Sequence, residues 1–193
     1  MSRTELIDIL KAFFALSLAF TILLGGLGEN FVNVFLIAAL TVGIAFLFHE
    51  LAHRAVARKY GLHAEFRAFD LGLVIAIVMS FFGFIFAAPG AVMIRGYARR
   101  EKIGKIAAAG PATNIVIAII FLFFSFFFSA SIIKYGFFIN SFLAFFNLLP
   151  FAMFDGAKVF YWNRKVFSFL IGISFVLLLL QYAFFYFLIF TSL

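Results

Sequence analysis

The chain has 193 residues, of which 66% are hydrophobic, 21% aromatic and only 12% charged. A water-soluble domain is nearer half apolar and a quarter charged, so the composition excludes that class and describes an integral membrane protein. The net charge of +7 does not signal nucleic acid, because the fifteen Lys and Arg sit in the connections between apolar runs, as cytoplasmic loops of membrane proteins do.

With no cysteine there is neither a disulfide framework nor a thiolate metal site, and any metal must be held by His and carboxylate. The length allows one all-α membrane domain, residues 1–193 with a core at 31–160, holding about five transmembrane helices of about 20 residues each.

Residues 1–11 carry Arg3, Glu5, Asp8 and Lys11 and lead into an apolar run, 12–27, that ends in glycines. The run is long and lacks a small-residue cleavage site, which predicts an uncleaved first span with a cytoplasmic amino end. The second run starts at residue 31 and continues without a breaker through His49-Glu50-Leu51-Ala52-His53 to Tyr60. On a helix, positions four apart share a face, so His49 and His53 can converge on one metal ion with Glu50 beside it. Gly61 is the predicted helix stop, and Arg54, Arg58 and Lys59 mark this end as cytoplasmic. His63, just past the stop among polar residues, reads as an interfacial side chain rather than a ligand.

Residues 71–94 are uncharged, but both flanks are basic: Arg67 before, and Arg95, Arg99, Arg100, Lys102 and Lys105 after. Equal charge on both sides predicts a re-entrant or β-hairpin membrane segment, with a pair of short helices as the other possibility. Extended backbone at Val74–Met79 would offer an edge to which another unwound segment could add as a strand. The third span opens at Ala107-Ala108-Ala109-Gly110-Pro111, with Pro in the first helical turn, and runs to about Ser131. Asn114, one turn in, is read first as a packing hydrogen bond. Lys134, Tyr135 and Gly136 form a turn on the far side. The fourth run, 137–154, holds Asn140, Asn147 and Pro150 and ends at Asp155-Gly156; the fifth is 166–190. On this topology Lys134 alone among the fifteen basic residues lies outside.

Two imidazoles leave a catalytic zinc short of its third protein ligand. Asp155 is the one acidic residue after Glu101, and it is carried to the cytoplasmic end of the fourth run. If 71–94 crossed the bilayer once, Asp155 would lie about 30 Å from the histidines, so the metal set and the charge pattern require the same out-and-back segment. A carboxylate at membrane depth usually marks function, and a zinc ion at His49, His53 and Asp155 gives this one a partner.

The combination resembles the site-2 protease family of intramembrane zinc metalloproteases. Three segments carry the resemblance: His49-Glu50-Leu51-Ala52-His53 followed by 55–61, then Ala109-Gly110-Pro111-x-x-Asn114, then Asn147-Leu148-Leu149-Pro150 leading to Asp155-Gly156. The family's third motif commonly has further prolines before the Asp, where this chain has Ala152, Met153 and Phe154. The resemblance implies a multi-pass enzyme of the cell membrane with one Zn2+ per chain and its active site toward the cytoplasm. It would hydrolyse a peptide bond in a membrane-spanning protein substrate.

Glu50 is then the catalytic base on zinc-activated water. Asn114 and Asn147 are candidates for holding the substrate strand or the developing oxyanion. Two other readings use the same residues: a membrane zinc hydrolase of another substrate class, and an inactive relative that binds transmembrane helices without cutting them. Oligomeric state is not legible in the sequence.

Overall fold

The structure, a computed structural model, describes residues 1–25, 27–85, 89–151 and 153–191, with side chains to 181 in the last helix. The elements divide into two compact units, Met1–Ala98 and Arg99–Leu193.

The first unit begins with helix α1 (Arg3–Gly25), which starts well before the apolar run does. Ser2 caps it, its hydroxyl oxygen accepting the Glu5 N–H at 3.1 Å. The polar first turns are helical because their acids have tertiary partners, Arg54 for Glu5 and Arg67 for Asp8. The second run is one rod in three parts: α2 (Phe31–Ala38), a π turn (Ala39–Gly43) and α3 (Ile44–Lys59). In the π turn Thr41 donates to the Ile37 carbonyl at 2.7 Å. Gly43 lies so close to α1 that a Cβ there would meet the Phe13 ring at 2.6 Å and Ser17 Oγ at 2.8 Å.

The rod ends at Gly61, as the sequence predicts. Its φ of 75° is left-handed. The Gly61 N–H donates to the Arg58 carbonyl at 2.9 Å and the Leu62 N–H to that of Ala57 at 3.1 Å, a Schellman closure.

The next stretch partly departs from expectation. Strand β1 (His63–Ala68) pairs antiparallel with β2 (Gly90–Arg95), from His63 opposite Arg95 to Ala68 opposite Gly90. The Phe69 N–H donates to the Pro89 carbonyl at 3.1 Å, so the chain between leaves the sheet and comes back to it. The outgoing arm is not extended, however. Val74–Met79 lie inside helix α4 (Asp70–Ser80), which satisfies its own backbone, so those residues offer no strand edge. β2 instead pairs with the polar flank 63–68, outside the apolar run; Ala87 and Ala88 lie outside the described residues. The core of this unit is Ile9, Ala12, Phe66 and Leu73, with Phe46, Leu47 and Leu51 of α3 packed against it.

The second unit comprises α5 (Arg100–Ser125), α6 (Ser131–Asn147), α7 (Asp155–Trp162) and α8 (Arg164–Thr191). α5 starts a full two turns before Ala109, which places Pro111 inside the helix rather than in its first turn. Lys134 lies in the first turn of α6 rather than in a loop. α6 stops at Asn147, short of the predicted 154, because Pro150 cannot continue a helix and disfavours helical backbone at Leu149. Ile115, Ala118, Phe137, Ala144, Leu148 and Leu177 form the core of this unit. Among the described residues four helices are long and apolar enough to cross a membrane: Arg3–Gly25, Phe31–Lys59, Arg100–Ser125 and Arg164–Gln181. The other candidate for the expected five, α6, has 17 residues, at the lower end of the length that crosses a bilayer.

Candidate metal centre

Helix α3 has two distinct faces. Ala45, His49, His53 and Ala57, every fourth residue, form its buried stripe. Leu47 and Leu51, which join the core, share the other side with Arg54 and Arg58; at about 100° per residue that side lies about 150° around the helix from the imidazoles. The packed side seats the helix, while the other side carries the two imidazoles.

His49 and His53 are 4% and 7% exposed. Their Nε2 atoms lie 3.0 Å apart, with the rings edge to face at 4.7 Å. Two nitrogens on one tetrahedral zinc, each at about 2.0–2.1 Å, are separated by about 3.3 Å. The pair is therefore already close to the spacing that a shared cation requires. Glu50 follows His49 directly and is partly exposed.

The remaining predicted residues are placed as follows. Asp155 is the first residue of α7, preceded by Phe154 in extended conformation. Its carboxylate is 13% exposed and accepts from Lys158 at 3.1 Å. Ala152, in the stretch where the family resemblance departs, is outside the described residues. Asn114 is fully buried, its amide nitrogen donating to Asn140 Oδ1 at 3.0 Å, and Asn140 in turn donates to the Gly136 carbonyl at 2.8 Å. Asn147 is partly exposed and donates to the Leu143 carbonyl one turn back at 2.9 Å. His63 is exposed at the start of β1.

One residue that the sequence reading passed over as a flanking charge stands behind the motif helix. Glu5 is completely buried; its Oε1 lies 2.6 Å from Arg54 Nε, and Arg54 Nη2 donates to its Oε2 at 3.0 Å. The Nε approach is close but off the N–H direction, so it counts as an ion pair and the Nη2 contact as the hydrogen bond. The signal for Glu5 was the Ser2-x-x-Glu5 spacing, which marks a helix start and makes Glu5 part of a folded turn rather than of a tail.

A protein of Methanocaldococcus jannaschii (strain ATCC 43067 / DSM 2661 / JAL-1 / JCM 10045 / NBRC 100440) named "Putative zinc metalloprotease MJ0611" is 42% identical over 175 residues, covering 86% of this chain and 88% of that protein. This chain belongs to the same zinc metalloprotease family. No family model matches it, nor does any solved structure. The cofactor that fits is one Zn2+: His49, His53 and Asp155 are donors of the imidazole and carboxylate kinds that zinc takes, and the imidazole spacing suits it.

Proposed function

We propose that this zinc metalloprotease is an intramembrane endopeptidase of the site-2 protease type, hydrolysing a peptide bond in a membrane-spanning substrate. The observation that carries the reading is the buried imidazole pair, Nε2 to Nε2 at 3.0 Å, on a rod long and apolar enough to span a bilayer. A pair of this kind inside an apolar helix has no role in packing that leucine would not fill better.

His49, His53 and Asp155 hold the metal in this reading. When bound, zinc polarises the scissile carbonyl and makes water acidic enough to be deprotonated near neutral pH. Glu50 accepts the proton from the attacking water and delivers it to the amide nitrogen as the C–N bond breaks, so that the leaving strand departs as a neutral amine. Of the two amides, Asn147 has accessible surface and is assigned to substrate contact, whereas Asn114 ties α5 to α6 through Asn140. Hydrolysis needs water. His53 is six residues from Lys59 at the rod's end, about 9 Å along the axis, a depth that water reaches more readily than the bilayer centre. The Arg58 and Lys59 that follow support a cytoplasmic assignment for this end of a multi-pass protein in this reading.

The test uses the full chain in detergent micelles with two peptides, one membrane-spanning and one soluble and unstructured, and identifies products by mass spectrometry. The reading expects one cut within the spanning peptide and none with Glu50→Gln. Cleavage of the soluble peptide alone would reassign the enzyme to another substrate class. Binding of the spanning peptide without a cut, in a chain that holds zinc, would make it a helix-binding relative.

A further inference from the structure

The motif helix is seated by contacts of two kinds. Phe46, Leu47 and Leu51 pack apolar surface against Ile9, Ala12 and Phe66, and such contacts are strong but non-directional. They hold a helix down without fixing its rotation. Glu5 supplies direction. Its carboxylate is fully buried where three elements meet: it sits in α1, takes Arg54 of α3 through both oxygens, accepts the Phe66 N–H of β1 at 3.2 Å, and has Arg58 Nη2 at 3.9 Å. Arg58 closes the circuit by donating to the Ala64 carbonyl through Nε at 3.1 Å and Nη2 at 3.0 Å. A paired, buried carboxylate is a poor source of net stability compared with apolar residues of the same volume, but its geometry is specific.

Arg54 is adjacent to His53 in sequence and projects about 120° around the helix from the imidazole pair. A turn of α3 by about 10–20° would carry an imidazole nitrogen, about 6–7 Å from the axis, through about 1–2 Å, against a tolerance of about 0.2 Å for a metal bond. We propose that Glu5 is a positioning residue for the zinc centre: it fixes the rotation of the motif helix through Arg54, from outside the ligand face. The proposal rests on the zinc reading of His49 and His53. It touches no substrate and no reacting atom.

The experiment measures zinc affinity by chelator competition on the full chain in detergent, with the visible spectrum of the cobalt(II)-substituted protein as a second readout. The variants are Glu5→Gln, Arg54→Gln and the double Glu5→Gln/Arg54→Gln. The control is Lys11→Gln/Asp70→Asn, which removes an exposed pair linking the same α1 to α4 at 3.2 Å. Each single variant is expected to weaken zinc binding by about 10-fold or more and to shift the cobalt bands. The double should be no weaker than the worse single, since both remove one interaction, and the control should match the wild type.

A purely structural pair would lower the melting temperature and leave affinity and spectrum unchanged in the folded variants; that result overturns the proposal. If the single variants fail to fold because a buried charge is orphaned, the double, which orphans none, decides. A double that also fails to fold overturns the proposal in favour of a stability role. A wild type that binds no zinc sinks the functional reading and this inference together, whereas a zinc-loaded wild type with unaffected variants sinks this inference alone.

Discussion

The imidazole pair is set locally at the residue scale, and that is why its spacing was legible. His49, Glu50 and His53 are fixed relative to one another by a single helical turn, so spacing alone predicts the paired nitrogens that the structure holds 3.0 Å apart. Glu50→Gln keeps the side chain's size and removes the proposed base. The expected outcome is a loss of about 10²–10⁴-fold in cleavage rate, followed by peptide mass spectrometry, with zinc content by elemental analysis unchanged. Gly156 is a residue whose role the sequence shows only as a neighbour of Asp155. A Cβ there would run into the Leu148 carbonyl and stand 2.6 Å from that of Leu149, backbone that cannot swing aside. Gly156→Ala should therefore push the first turn of α7, and Asp155 with it, off the end of α6, at a cost of about 1–3 kcal/mol. Thermal melting and zinc titration of the variant check both effects. Glu5 escaped notice for the opposite reason to the histidines, since its partner is 49 positions away and no local pattern connects them.

Among the elements, the long rod and its stop were readable because an unbroken apolar run and a glycine are strong signals. The π turn within the rod was not, because it depends on how Gly43 meets Phe13 and Ser17 of another helix. Gly43→Leu would force those helices apart and should lower stability by about 1–3 kcal/mol, a fall of several degrees in melting temperature. Gly61→Ala tests the other end: nothing lies near the added Cβ, so only the left-handed φ of 75° opposes it, and the loss should be about 1 kcal/mol. The stretch 71–94 shows how charge and hydropathy divide the labour. Basic flanks implied a segment that comes back to where it started, and β1 pairs with β2, whereas the extended backbone expected at Val74–Met79 is helical in α4. Backbone conformation there was decided by self-satisfaction of hydrogen bonds in a stretch whose one glycine before Gly83, Gly72, sits within the helix.

On the scale of the whole molecule, composition made the membrane character plain, and four helices have the length and apolarity to match. The chain's lack of cysteine makes its topology measurable one residue at a time. With Lys59→Cys, Tyr97→Cys and Lys134→Cys made singly at exposed positions, an impermeant maleimide is expected to label the first two only when cells are opened and the third on intact cells. Elemental analysis of Asp155→Ala should show zinc sharply reduced from one per chain, since two imidazoles alone leave the set one ligand short. The π turn matters at this scale too. A helix that has taken in one residue at Ala39–Gly43 keeps its direction but turns everything before it by about 100°. Gain or loss of a single residue there is thus a heritable step that resets which side of 31–38 meets its surroundings while the histidines stay in register. In descendants of such a chain it would be visible as a one-residue gap just upstream of an otherwise unbroken motif.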